Sequence, residues 1–220
     1  YREDGYFPEA VINFLALLGW NPGTEQELFT MDELIEAFSL EKVSKSGARF
    51  NQDKAKWFNT QYIRSSSDDF LGGELKGMLS QRGIEVSAER AAKAVSLIKE
   101  RAALLKDLLP LTIYMFEAPK SYDEKSVAKF WKAEDVERFK LLREKFAAMA
   151  SITVEQSEPY ICQWAADSGL PLGRLMNALR LAVLGISQGP GIFAICEFIG
   201  KGETLARMDA ALSTLGCPGQ

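Results

Sequence analysis

At 220 residues, 47% apolar and 25% charged, the chain is long enough to bury one or two substantial cores, while its net charge of −4 offers no global positive field to hold a polyanion. The absence of histidine closes Ser–His, Cys–His and His-ligated metal chemistry, and the three cysteines, Cys162, Cys196 and Cys217, have no metal-type spacing and fit a reducing compartment. No apolar run reaches the roughly 18–20 residues that span a bilayer, so the chain reads as soluble. Its start, YREDGYFPEAV, lacks both an initiator methionine and a leader pattern, from which we expect it to begin inside a longer protein.

In chain order, PEAVINFLALLG (8–19) places Pro8 at a first helical position and Gly19 at the close, predicting a short helix. After the turn Trp20-Asn21-Pro22-Gly23, the pattern Thr30-Met31-Asp32-Glu33 is a capping box that starts a helix over 31–38. In SLEKVSKSGARFN, Lys42, Lys45 and Arg49 surround Ser44, Ser46 and Gly47. This is a solvated basic loop with the means to touch phosphate, and Asn51 then caps a helix through Trp57 to Tyr62. Ser65, Ser66, Ser67, Asp68 and Asp69 read as a linker or helix cap, and with the glycine-rich FLGGELKGMLSQRG beyond them they place a domain boundary near 66. Residues 87–115 repeat apolar positions every three or four residues and predict one long helix that Pro110 bends or ends. Residues 84–150 carry 13 Lys+Arg against 11 Asp+Glu, a small positive surplus. Within them Lys129, Lys132, Arg138, Lys140, Arg143 and Lys145 interleave with Phe130, Trp131, Phe139 and Phe146, a pattern of core aromatics between solvated stems or, alternatively, of base-stacking rings. From Thr153 onward, four pieces that each close on glycine predict a compact cage of short helices.

Residues 172–199, LGRLMNALRLAVLGISQGPGIFAICEFI, pack a helix, a glycine break and a second helix into the shortest space. The first helix carries an apolar run interrupted by just two cations, Arg174 and Arg180. Gly185 should end it in the left-handed region, and Ser187 to Gly191 should form a tight turn before Ile192 and Phe193. An arginine one turn before unshielded backbone, followed at once by apolar residues, suits a flat partner that offers both hydrogen-bonding edges and a face. The same corner also occurs as plain structure, with Arg180 in an ion pair with Glu197 or extended along the surface.

With those residues in view the chain resembles the C-terminal half of bacterial glutamyl-tRNA synthetases. The likeness rests on YREDGYFPEAVINFLALLGWNP, SLEKVSKSGARFNQDKAKWFN, IKERAALLKD and LRLAVLGISQGPGIFAICEFIGKGETLARM, in that order. VSKSG is not the ATP-closing Lys-Met-Ser-Lys-Ser loop of such enzymes: it lacks the first lysine, and no strand–Gly–helix nucleotide unit accompanies it. The resemblance implies a mainly all-α fold: a stem-contact region over 1–66, then helical anticodon-binding subdomains over 67–122 and 123–220. ATP and Mg would serve a catalytic Rossmann domain upstream, and this portion would be inactive alone. The implied partner is the glutamate-specific tRNA, with no DNA or membrane, in a cytoplasmic monomer. Carried over residue by residue, the reader of the third anticodon base falls on Arg180, with Gly189, Pro190, Ile192 and Phe193 supplying the loop and second helix start. The arginine sensing the first base falls on Arg101, and Lys42, Lys45 and Arg49 would touch the tRNA backbone. The sequence departs from the family pattern in placing Asn177-Ala178 where Gln-Pro is usual and Leu184 where threonine is usual. The rival readings are a helical protein-interaction scaffold and a stand-alone carboxylate enzyme, for which no Asp/Glu pair stands out.

Overall fold

A computed structural model describes residues 1–45 and 47–216, so Ser46 and Cys217 lie outside the described residues. These residues are helical with no named strand, and one isolated antiparallel bridge joins Trp20 to Val43. The chain divides into two compact units, Tyr1–Leu111 and Thr112–Gln220, whereas the sequence places its boundaries near 66 and 122.

The first unit is built on α1 (Pro8–Gly19), α2 (Met31–Ala37), α3 (Gln52–Ser65), α4 (Asp68–Ser80) and α5 (Ala88–Ile98). Pro8 sits at the start of α1, where its missing N–H is not needed, and the Thr30–Glu33 capping box forms as the sequence predicts. Asn51 caps α3 by accepting from the Lys54 N–H, and Ser67 caps α4 in the same way with Phe70, so the serine–aspartate cluster ends α3 and starts α4. Tyr6, Phe14, Ala55, Phe58 and Leu104 form one core cluster between α1 and α3. Each such large apolar side chain, once buried, contributes about 1.5–3 kcal/mol. Trp20, Phe29 and Leu34 form a second cluster, and the Asn13 side chain holds the loop above it by donating to the Glu27 carbonyl and accepting from the Phe29 N–H. Helices α4 and α5 approach closely because Gly72 has no side chain: a Cβ there would lie 2.7 Å from the Ala92 backbone.

The long helix expected over 87–115 does not form. It stops at Ile98, a tight turn covers Lys99–Arg101, and Ala102 and Leu104 are extended. Tertiary partners take the backbone groups a helix would use. The Asp107 carboxylate accepts from the N–H groups of Ala103 and Leu104, the Asn59 amide donates to the Ala103 carbonyl, and the Leu105 N–H donates to the Gly5 carbonyl. Between Ile98 and Thr112 the buried apolar residues are Ala102, Leu104 and Leu108, carried by extended chain and the short α6 (Leu108–Thr112), while Leu105 and Leu109 of the repeat are half-buried.

The second unit holds α7 (Glu124–Phe130), α8 (Ala133–Ala148), α9 (Val154–Asp167), α10 (Leu172–Leu184), α11 (Ile192–Ile199) and α12 (Lys201–Leu215). Helix α10 is its hub and packs against the other five. Trp131, Phe139 and Phe146 are buried while Lys129, Lys132 and Lys140 are exposed, so the basic–aromatic stretch is a core face with solvated stems.

Candidate nucleic-acid interface

The two arginines of α10 are alike in sequence and differ in surroundings. Arg174 makes a fork of hydrogen bonds to both carboxylate oxygens of Asp135 and also donates to the Lys129 carbonyl. Asp135 is 3% exposed, and hydrogen bonding from the Arg174 guanidinium holds its carboxyl below the ordinary carboxylate value. Arg174 therefore fastens α10 to α8. Arg180 is half-buried, between Leu179 and Leu181, which are wholly buried. One turn later Gly185 has φ +80, and its N–H closes the helix on the Leu181 carbonyl, the left-handed stop the sequence predicts.

Residues 185–191 then turn the chain through Gly189 at φ +152 into α11. Pro190, Ile192 and Phe193 are buried, the last stacked on Phe146 with ring centroids 6.4 Å apart. The expectation that Ile192 and Phe193 present apolar side chains to a partner is thus corrected: those side chains complete the core. Gly191 has no side chain with which to cap the first N–H groups of α11. The exposed apolar residue of this turn is Ile186, at 42%. Sequence reading missed it because an isolated isoleucine beside a glycine carries no periodic signal. Also missed was Arg207 on α12, 3% exposed, whose guanidinium pairs with Glu203 and donates to the carbonyls of Tyr114 and Val183. It pins the last turn of α10 from beneath. The Glu197 carboxylate accepts from the Val154 N–H.

In the first unit, Arg101 is exposed on the tight turn that follows α5. Lys42, Lys45 and Arg49 are exposed on the loop before α3. The Ser44 N–H donates to the Gly19 carbonyl and the Lys42 ammonium to the Pro22 carbonyl, 2.9 Å away, so the loop is anchored on the end of α1. Among the described residues no His/Cys/Asp/Glu cluster is arranged to hold a metal ion, and no helix is long and apolar enough to cross a membrane.

The second unit sets the half-buried Arg180 one turn before a glycine turn over a packed core, and guanidinium planes and backbone groups are among the features by which proteins meet splayed single-stranded bases. The chain belongs to the anticodon-binding domain family, whose model matches residues 65–212. Residues 1–57 match a second model, described as the catalytic domain of class I tRNA synthetases (E and Q), so the stretch expected to contact the tRNA stem falls within that description. Curated relatives are glutamate–tRNA ligases: that of Porphyromonas gingivalis strain W83 is 44% identical over 216 residues, and that of Phocaeicola vulgatus 43% over 215. Each alignment covers 98% of this chain and 43% of the relative, so the chain spans less than half the length of the proteins it matches. A solved glutamate tRNA ligase from Elizabethkingia meningosepticum, in complex with its amino acid, superposes with a TM-score of 0.91 at 41% identity, over 98% of this chain and 43% of that one. The synthetase from Elizabethkingia anophelis gives 0.86 at 40%, over 97% and 42%.

Proposed function

We propose that the chain is the tRNA-recognition portion of a glutamate–tRNA ligase, which attaches glutamate to its tRNA with ATP and magnesium in a catalytic part of the ligase outside this chain. The observation that carries the reading is Arg180, half-buried between the wholly buried Leu179 and Leu181 one turn before the Gly185 turn, within the segment matched to the anticodon-binding family. In this reading residues 1–66 meet the tRNA stem and residues 67–122 and 123–220 receive the anticodon loop. Arg180, the backbone of Gly189, Ile192 and Phe193, and Pro190 meet the third anticodon base, and Arg101 meets the first. Lys42, Lys45 and Arg49 contact phosphates and add affinity without sequence information.

A guanidinium carries only donors. It suits the N3 and O2 acceptors of cytosine and is opposed by the N3–H of uracil, so one fixed arginine separates the two pyrimidines by about 1–3 kcal/mol. The scaffold alternative is disfavoured by likeness to ligases over 98% of the chain. The test is binding of the purified chain to the anticodon stem-loop of the glutamate tRNA. Weaker binding of a loop altered at the third base, with no ATP–pyrophosphate exchange by the chain alone, supports the reading. Equal binding of both loops, or clear exchange activity, contradicts it.

A further inference from the structure

We infer that Asp123 and Ser126, at the start of α7 and outside the proposed base-contacting set, are positioning residues for the turn that follows α10, and that their grip on Ser187 sets how sharply this turn discriminates bases. The inference rests on the anticodon reading of the preceding subsection.

Three ties join residues 119–126 to the turn. The Asp123 N–H donates to the Gly185 carbonyl at 2.8 Å. The Ser126 hydroxyl lies 2.6 Å from Asp123 Oδ2 and 2.9 Å from the Ser187 hydroxyl. Gly185 is pressed on the same segment: a Cβ there would meet the Ser121 carbonyl oxygen at 2.7 Å and Pro119 at 2.9 Å. The direction of the hydroxyl chain follows from proton counting. An ionised carboxylate accepts only, so the single Ser126 Oγ proton goes to Asp123, and Ser187 must donate to Ser126. The carboxyl of Asp123 is held below its ordinary value chiefly by the Ser126 hydroxyl, which keeps the chain Ser187 to Ser126 to Asp123 charge-assisted.

A cap for α7 needs only the Ser126 N–H on Asp123, which is present at 2.8 Å. The link to Ser187, 61 residues away, adds nothing to that helix. It does act on the turn. Arg207 and the core fix α10 as far as Val183, but Ser187 lies between Gly185 and Gly189, both at positive φ, where the backbone is softest. A tie at the midpoint of such a turn removes its freedom before a base arrives, and a reading group misplaced by about 1 Å loses most of its selectivity.

The experiment uses the full-length ligase carrying this chain, with Ser126→Ala, Ser187→Ala, the double variant, Ser126→Thr and Arg180→Ala. Charging is measured on the glutamate tRNA and on the same tRNA with its third anticodon base changed, alongside melting. Each serine-to-alanine change should shrink the discrimination ratio about 3- to 10-fold, the effect of one lost hydrogen bond, with the loss in KM rather than kcat. The double variant should be no worse than either single one, and Ser126→Thr should restore the ratio. If Ser126→Ala also lowers melting through its helix, Ser187→Ala decides, because it leaves the α7 cap intact. An unchanged ratio in Ser187→Ala, or losses that add in the double variant, overturns the inference. Lost discrimination in Arg180→Ala with none in the serine variants sinks the inference and leaves base reading standing. No loss in any variant sinks both. Loss in the serine variants alone supports positioning and moves the reading from the guanidinium to the turn.

Discussion

Replacing Arg174 by alanine should unfold the second unit at markedly lower temperature while leaving the candidate reading turn chemically unchanged. The side chain is one-third exposed, but its partner Asp135 is 3% exposed and takes two of its hydrogen bonds from the guanidinium. Once Arg174 is gone, the carboxylate keeps the Lys132 N–H at 3.2 Å and Arg138 at 3.6 Å. Removing one partner of a buried pair costs about 3–5 kcal/mol when the remaining charge is left bare. The two surviving contacts and the solvent near Arg174 reduce this, and we expect about 2–3 kcal/mol, or a melting shift of roughly 5–10 °C for a chain of this size. The pair also has a defined acid dependence. The Asp135 carboxyl is lowered from its ordinary 3.8, so its stabilisation is complete above that value and disappears as pH falls through the lower folded value. The penalty of Arg174→Ala should therefore be full at pH 7 and shrink only below about pH 4. Thermal melting followed by circular dichroism, repeated across that range, is the assay. A variant that melts within about 1 °C of the parent at pH 7, or a penalty that persists unchanged in acid, would refute the argument.

Other changes follow the same reasoning. Gly72→Ala should destabilise by about 1–2 kcal/mol, an overpacking cost against the Ala92 backbone less the helix preference for alanine, whereas Gly73→Ala, with open space around it, should be neutral or stabilising; equal melting of the two would contradict the close approach of α4 and α5. Burial pushes the Cys196 thiol up to about 12, so it should resist alkylation at pH 8 until the protein unfolds, and rapid labelling of Cys196 in the native state would show the packing of α11 to be wrong. If Lys42, Lys45 and Arg49 each neutralise a phosphate, a fourfold rise in salt should weaken tRNA binding about 40-fold, and replacing all three by glutamine should flatten that slope; an affinity indifferent to salt would remove them from the interface.

Much of the fold is legible in the sequence because local chemistry and tertiary packing agree at the helix ends. Pro8, the Thr30–Glu33 box, Asn51 and Gly185 each do in the structure what their residue types predict. Agreement fails after Ile98, where the apolar period runs on but Asp107, Asn59 and Gly5 take the backbone groups of 103–105; partners as distant in the chain as Gly5 is from Leu105 leave no trace in a local pattern. At the candidate site, the spacing of Arg180 from Gly185 is visible in the sequence, but the tie that fastens Arg174 is not, because Asp135 lies 39 residues before it. Ile192 and Phe193 invert their expected role for a related reason: a helix start beside a glycine turn faces two ways, and the position of Phe146 decides which face is the core.

The measurement closest to the central proposal is Arg180→Ala in a full-length ligase containing this chain, compared with the parent for melting temperature and for charging of tRNAs differing only at the third anticodon base. The account predicts a near-normal melting temperature and a fall of roughly 5- to 150-fold in charging of the glutamate tRNA, the equivalent of about 1–3 kcal/mol for one lost base contact, with the preference at that base largely gone. A variant that melts normally and still distinguishes the third base as well as the parent does would show that Arg180 is not the reader.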